Sequence, residues 1–220
     1  MRAFALAALT ISAALSVSAE EPVSSRFQSA VPSTGVRRVI VDIPTGDIVI
    51  RNGDATRLAV SGSVSRDPDG PRSREKEQRI VNHTAVEIVV RNGEATVQRR
   101  YGPDAQGWRA QTFSDYAVSL EVPVGVAIDV KTRAGDVTLD GSFGDIDVDL
   151  RAGDVTVRLP RADVRELRAS CRIGEVRTNI GNEIVEREGL FPGRTRYLNA
   201  AGKFFVNVHA TVGEVNVELR

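Results

Sequence analysis

The 220-residue sequence is poor in the residues that build sites by covalent or metal chemistry. It has one cysteine, Cys171, so no intramolecular disulfide can form and a zinc site of the Cys-x-x-Cys type is excluded. The only methionine is Met1, which excludes a methionine-rich copper site. Histidines are His83 and His209 alone, far apart in the chain, and a multi-histidine centre would need both together with carboxylates. Aromatic residues make up 5% of the chain, so any interior must be mainly aliphatic. An excess of charge is also missing: 29 basic residues face 29 acidic ones, which argues against a nucleic-acid binder and against a protein held electrostatically on a membrane.

Long apolar runs are confined to the start. Arg2 precedes an apolar stretch from Ala3 to Val17, too short to span a bilayer, and Val17-Ser18-Ala19 supplies small residues for cleavage. Residues 1–19 therefore read as a signal peptide, and the mature chain as exported, to the periplasm or the cell surface. Arg2 is the only charged residue removed, which leaves a net charge of −1. No cysteine sits at the cleavage site to carry a lipid, and no second run is long enough for a transmembrane segment.

What the sequence has is a repeat. Glycine, then Asp or Glu, then Ile or Val with alternation after it, begins at Gly46, Gly135, Gly144, Gly153, Gly174 and Gly213. The last five glycines step along the chain by 9, 9, 21 and 39, which corresponds to turns of 18, 21 and about twice 20. Arg133-Ala134-Gly135-Asp136-Val137-Thr138 recurs one such turn later as Arg151-Ala152-Gly153-Asp154-Val155-Thr156. In Asp145-Ile146-Asp147-Val148-Asp149-Leu150 the period of two puts Ile146, Val148 and Leu150 on one face and the aspartates on the other. Glycine gives a corner its backbone freedom, and a following Asp can hydrogen-bond the turn. Strands this short bury their apolar face only by stacking. The expectation is an all-β chain: a single-stranded right-handed β-helix, a solenoid with eight or nine rungs of about 18–21 residues.

A second echo, Ile50-Arg51-Asn52-Gly53-Asp54-Ala55-Thr56 and Val90-Arg91-Asn92-Gly93-Glu94-Ala95-Thr96, places Asn-Gly either in hairpins or in tight corners. Residues 20–35 are turn-rich and read as a flexible leader, with the β-solenoid domain over 36–220. Three stretches interrupt the alternation: the charged Arg66–Arg79, expected as an exposed loop; Tyr101–Tyr116; and Glu186–Lys203. Arg161–Ala169 is the best helical candidate, although it also alternates as a strand would.

The Gly-Asp-Val units, Leu120-Glu121-Val122-Pro123-Val124 before them and the terminal Gly213-Glu214-Val215-Asn216-Val217-Glu218-Leu219 together resemble a bacterial β-strand-repeat family described as "putative adhesins", akin to the toastrack-type domains of envelope-stress proteins. The resemblance covers roughly residues 36–220. It implies a right-handed β-helix in the cell envelope, with no catalytic residues to transfer and no defined ligand.

The candidate sites follow from residue types. Asp145, Asp147 and Asp149 share a strand face and could hold a divalent cation, or form a solvated face that discourages lateral strand addition. Gly135, Gly144 and Gly153 lack the Gly-Gly-x-Gly-x-Asp pattern of calcium-binding rolls. Cys171 alternates in phase with Ala169 and Ile173 and reads as a small buried hydrophobe. No Gly-x-Ser-x-Gly elbow is present. Tyr101, Trp108, Phe113 and Tyr116 gather four of the ten mature-chain aromatics in one short stretch, either as an interaction loop or as a flap over an open flank of the coil. Phe191, Tyr197, Phe204 and Phe205 are placed to cap the C-terminal end. No cofactor is expected, and an enzyme is not the leading expectation. The function expected is a non-catalytic envelope scaffold or adhesin-like interaction module for an envelope protein or glycan; the alternatives are an enzyme acting on envelope polysaccharide and a self-associating surface protein.

Overall fold

The computed structural model describes residues 21–68, 71–103, 114–180, 183–187 and 193–220. Its strands are β1 (Val23–Pro32), β2 (Arg38–Asp42), β3 (Asp47–Asn52), β4 (Arg57–Arg66), β5 (Thr84–Arg91), β6 (Glu94–Tyr101), β7 (Asp115–Val122) and β8 (Ala127–Ala134). They continue with β9 (Val137–Asp140), β10 (Ile146–Ala152), β11 (Val155–Leu159), β12 (Val164–Ile180), β13 (Glu183–Arg187), β14 (Gly193–Leu198) and β15 (Phe204–Leu219). One α-helix, α1 (Pro71–Asn82), lies between β4 and β5. The all-β expectation holds.

The Gly-Asp-Val units form two-sided rungs. In β2/β3, β8/β9 and β10/β11 a strand runs to a corner and a second strand leaves it, while β12 and β15 each supply both sides of a rung. The rungs stack parallel in the order β2/β3, β8/β9, β10/β11, β15, β12. Along one side Ile48, Val137, Val155, Val215 and Val176 stand in a single buried column. Each such aliphatic side chain taken from water contributes roughly 1.5–3 kcal/mol.

The glycines make the corner possible. Gly46, Gly135, Gly153, Gly213 and Gly174 have φ between 113° and 135° and follow one another down the stack. A Cβ on Gly153 would lie 2.3 Å from the Gly135 carbonyl oxygen, so the backbones approach too closely for any side chain. The aspartate after each of Gly46, Gly135 and Gly153 clamps the next rung. Asp47, Asp136 and Asp154 accept the backbone N–H groups of Asp136, Asp154 and Glu214 at 3.0, 3.0 and 2.8 Å. Gly144 departs from this column: it opens β10 at the opposite end of the strand, against Gly125.

The stack corrects the expected coil. Rungs 127–140 and 146–159 pair with each other at an offset of 18 residues. Beyond them the pairing leaves chain order, because β15 inserts between β10/β11 and β12, with Val206 beside Ile146 on one flank and Leu167 on the other. Antiparallel strands flank the stack: β5 on β6, β4 on β7, and β1 on β4. The path β1-β4-β7-β3-β9-β11-β15-β10-β8-β2-β6-β5 brings β1 and β5 into contact, so the sheet is barrel-like and nearly closed. β13 and β14 pair with β12 at the other end.

Three segments differ from expectation. Residues 23–32, expected within the leader, pair with β4 along their whole length and bury Val23 and Phe27. The charged segment expected as a loop contains α1, opened by Pro71 and rich in Arg, Glu, Lys and Gln, all good helix formers. It is tied down by buried Ile80 and Val81 and by an ion pair from Arg66 to Glu77. Residues 161–163 make a 3-10 turn, after which β12 takes the strand alternative. Of the two Asn-Gly pairs, Asn92-Gly93 is a two-residue hairpin turn with both φ positive, joining β5 to β6. Asn52 instead ends β3, where its side chain bonds Val122 and Ser142.

Candidate functional site

Outward-facing positions of three neighbouring strands meet in one open cleft of about 820 Å³. β12 alternates Arg168, Ser170 and Arg172 outward against buried Leu167, Ala169 and Cys171. β14 sends out Arg194 and Arg196, and β15 sends out Asn207 and His209. The register aligns them in rows: Asn207, Arg168 and Arg196 in one, His209, Ser170 and Arg194 in the next. Period-two alternation on paired strands is therefore what concentrates four arginines on one surface.

The arginines are partly organised by one carboxylate. Glu166 Oε1 accepts the Nε–H of Arg168 at 2.8 Å and the Nε–H of Arg196 at 2.9 Å. The Arg168 hydrogen bond, seconded by Arg196, holds the Glu166 carboxyl below the usual glutamate range. Ser170 Oγ and His209 Nδ1 are 3.0 Å apart. The β10 border carries the opposite charge: Asp145 accepts the Phe205 N–H at 2.9 Å and Asp147 accepts the Asn207 side-chain amide at 2.8 Å. The face is thus divided, carboxylates on β10 and guanidinium groups on β12 and β14.

Asp145, Asp147 and Asp149 do alternate outward with buried Ile146, Val148 and Leu150. Two of the three are committed to β15, and among the described residues no group of three His, Cys, Asp or Glu is placed to hold a metal ion. Cys171 is buried, and desolvation pushes its thiol up from the ordinary value. Its expected phase breaks down at the corner: Ala169 is buried with it, whereas Ile173, next to Gly174, is 44% exposed. His83 follows α1, remote in sequence and fold from His209, its N–H donating to the carbonyls of Arg79 and Ile80.

The aromatic set is divided. Tyr116, on β7, is 1% exposed and belongs to the core, which excludes it as a contact for a partner. Burial, with the Tyr101 phenol beside it, pushes its hydroxyl above the ordinary tyrosine value. Tyr101 ends β6 half-buried with the Arg99 guanidinium over its ring. Trp108 and Phe113 lie outside the described residues, as does Phe191. Of the remaining proposed caps, Tyr197 and Phe204 are half-buried, while Phe205 is 48% exposed beside the cleft.

Sequence reasoning did not single out the arginine cluster. A signal existed in the even spacings, Arg168 to Arg172 and Arg194 to Arg196, which put each pair on one strand face. The antiparallel pairing of β12 with β14 that joins the two pairs had no counterpart in the sequence pattern.

Fold and cleft together define an all-β protein with a polar, arginine-lined recess on one sheet face. No family model matches the chain, and no curated protein matches it. Three solved structures are similar to it. One, described as a "putative cell adhesion protein" from Clostridium sporogenes, is 14% identical with a TM-score of 0.46, covering 91% of this chain and 100% of that one. A "putative adhesin" from Parabacteroides distasonis is 10% identical with a TM-score of 0.28, over 66% of this chain and 63% of that one. Another from Bacteroides fragilis is 7% identical with a TM-score of 0.27, over 88% and 97%. Likenesses this distant carry no functional argument. Among the described residues no helix is long and apolar enough to cross a membrane.

Proposed function

We propose that the chain is an exported, non-catalytic interaction module of the cell envelope, adhesin-like in that it holds a partner against an exterior sheet face. The observation that carries this reading is the cleft of β12, β14 and β15, where guanidinium, hydroxyl, amide and imidazole groups converge on one open surface. The apolar run after Arg2 supports export, to the periplasm or the cell surface. The resemblance of the Gly-Asp-Val units to the strand-repeat family agrees with it, and the five stacked rungs are read as a solenoid segment flanked by antiparallel strands.

The Ser170–His209 contact is the one feature that brings an enzyme to mind. A working nucleophile–base pair needs a third group orienting the imidazole, and among the described residues the His209 ring has Ser170 Oγ as its only hydrogen-bond partner. This favours a recognition role for both. The test is footprinting: arginine-selective labelling of the purified protein, with and without solubilised envelope material, read by peptide mass spectrometry. Protection concentrated at Arg168, Arg172, Arg194 and Arg196 is expected. Protection elsewhere, or reducing ends released from envelope glycan by wild type and not by Ser170→Ala, overturns the reading.

A further inference from the structure

Resting on that reading of the cleft, we infer that its ligand is an acidic glycan, a chain of sugar rings bearing carboxylates. Arg168 and Arg196 are both held by their Nε–H groups on a single Glu166 oxygen. Their terminal Nη groups have no other partner among the described residues. A guanidinium fixed along one edge keeps the paired donors that match a carboxylate in two parallel hydrogen bonds. Holding two such forks beside each other, with Arg172 and Arg194 lining the same cleft, suits a ligand whose anions repeat.

The groups between and beside the forks are those that bind sugars. Asn207 spends its Nδ2–H on Asp147 and keeps its side-chain carbonyl, while Ser170 and His209 offer a hydroxyl and an imidazole for ring hydroxyls. Phe205 lies two residues before Asn207 on the same outward face, and Glu166 pairs with Phe205 on one side and Leu198 on the other. Phe205 and Leu198, 48% and 61% exposed, stand on either side of Glu166 in the row next to the arginine forks, and the Arg165 guanidinium, 5.6 Å from the Phe205 ring centroid, leaves that ring one face for a sugar. The charge division of the face fixes an orientation, with ligand carboxylates over β12 and β14 and hydroxyls toward β15 and the aspartates of β10. A protein partner would favour a continuous apolar centre with charge at the rim. This surface has the reverse arrangement.

The inference is tested by calorimetric titration of the purified protein with three polymers. These are polygalacturonate, the same polymer fully methyl-esterified, and poly-glutamate, which has carboxylates without sugar rings. Polygalacturonate is expected to bind, weakening with salt, and each of the others to bind at least about tenfold more weakly, because one lacks the anions and the other the rings. Arg194→Ala combined with Arg196→Ala should cost about tenfold or more, and Phe205→Ala should weaken polygalacturonate without changing residual poly-glutamate binding. Arg51→Ala on β3 serves as the control for loss of a surface charge. Equal affinity for the esterified polymer, equal affinity for poly-glutamate, or no binding to any of the three overturns the inference. Footprint protection at the cleft by envelope material alongside any of those results removes the ligand class and leaves the module; absence of that protection removes the module itself.

Discussion

At Gly153 the backbone is left-handed, with φ at 130°, and the space where a Cβ would stand holds the carbonyl oxygen of Gly135. Left-handed strain of about 1–2 kcal/mol then adds to an overlap with backbone that is hydrogen-bonded in its own rung. Gly153→Ala is expected to cost more than about 3 kcal/mol in urea unfolding. Gly125→Ala, at a φ of 82° with nothing within 4 Å, should cost only about 1 kcal/mol. Similar losses at the two sites would mean that strain alone matters and close approach does not. The column was legible in the sequence for this reason: a position that admits only glycine, followed by one that favours a short carboxylate, repeats visibly. Glu166 gives a second prediction. Its folded pKa is depressed, so its contribution is present above the unfolded-state glutamate pKa and is lost as pH falls through the folded value. NMR titration should place it below the normal range, and Arg168→Ala should move it upward more than Arg196→Ala does. An unchanged titration in both variants would show that neither guanidinium holds it.

Helix α1 shows an element whose composition misleads. Its charges suit solvent on most of its surface, yet Glu77 reaches Arg66, whose side chain is 6% exposed and also donates to Ser114 Oγ at 3.0 Å. Glu77→Ala would take a carboxylate partner from the buried Arg66 guanidinium, and a loss of about 3 kcal/mol is expected by thermal or urea unfolding. A loss below about 0.5 kcal/mol would mark the pair as no better than a surface contact. Strand β1 was illegible for a related reason. Val23-Ser24-Ser25-Arg26-Phe27 spaces its apolar residues by four, so only the pairing with β4 reveals them as one face. The hairpin at Asn92-Gly93 needed no such context, since its turn is local. The cleft stood between these cases. Arginines spaced two or four apart on a strand state that they share a face, but which strands lie side by side is decided by segments distant in the chain, Arg168 meeting Arg196 and Asn207.

Across the molecule, the offset between β8/β9 and β10/β11 is the repeat length of the sequence itself, Gly135 to Gly153, which is why a coil was the natural expectation. The sheet is completed by pairings such as Ile146 with Val206, and Ile48 with Val118 and Val137. These follow from the insertion of β15 and from the flanking antiparallel strands, and no local pattern encodes them. A sheet closed by such distant pairings should fold slowly, on the millisecond-to-second scale. A chain ending at residue 203 is expected to lose its cooperative unfolding transition by circular dichroism, because β12 would be parted from β10 and β11. A retained sharp transition would mean that β12 can close the gap unaided. The strand that arrives last in sequence is therefore the keystone of the stack. Until β15 has been made the polypeptide stays an unlocked thread, because the rung that joins β10/β11 to β12 does not yet exist.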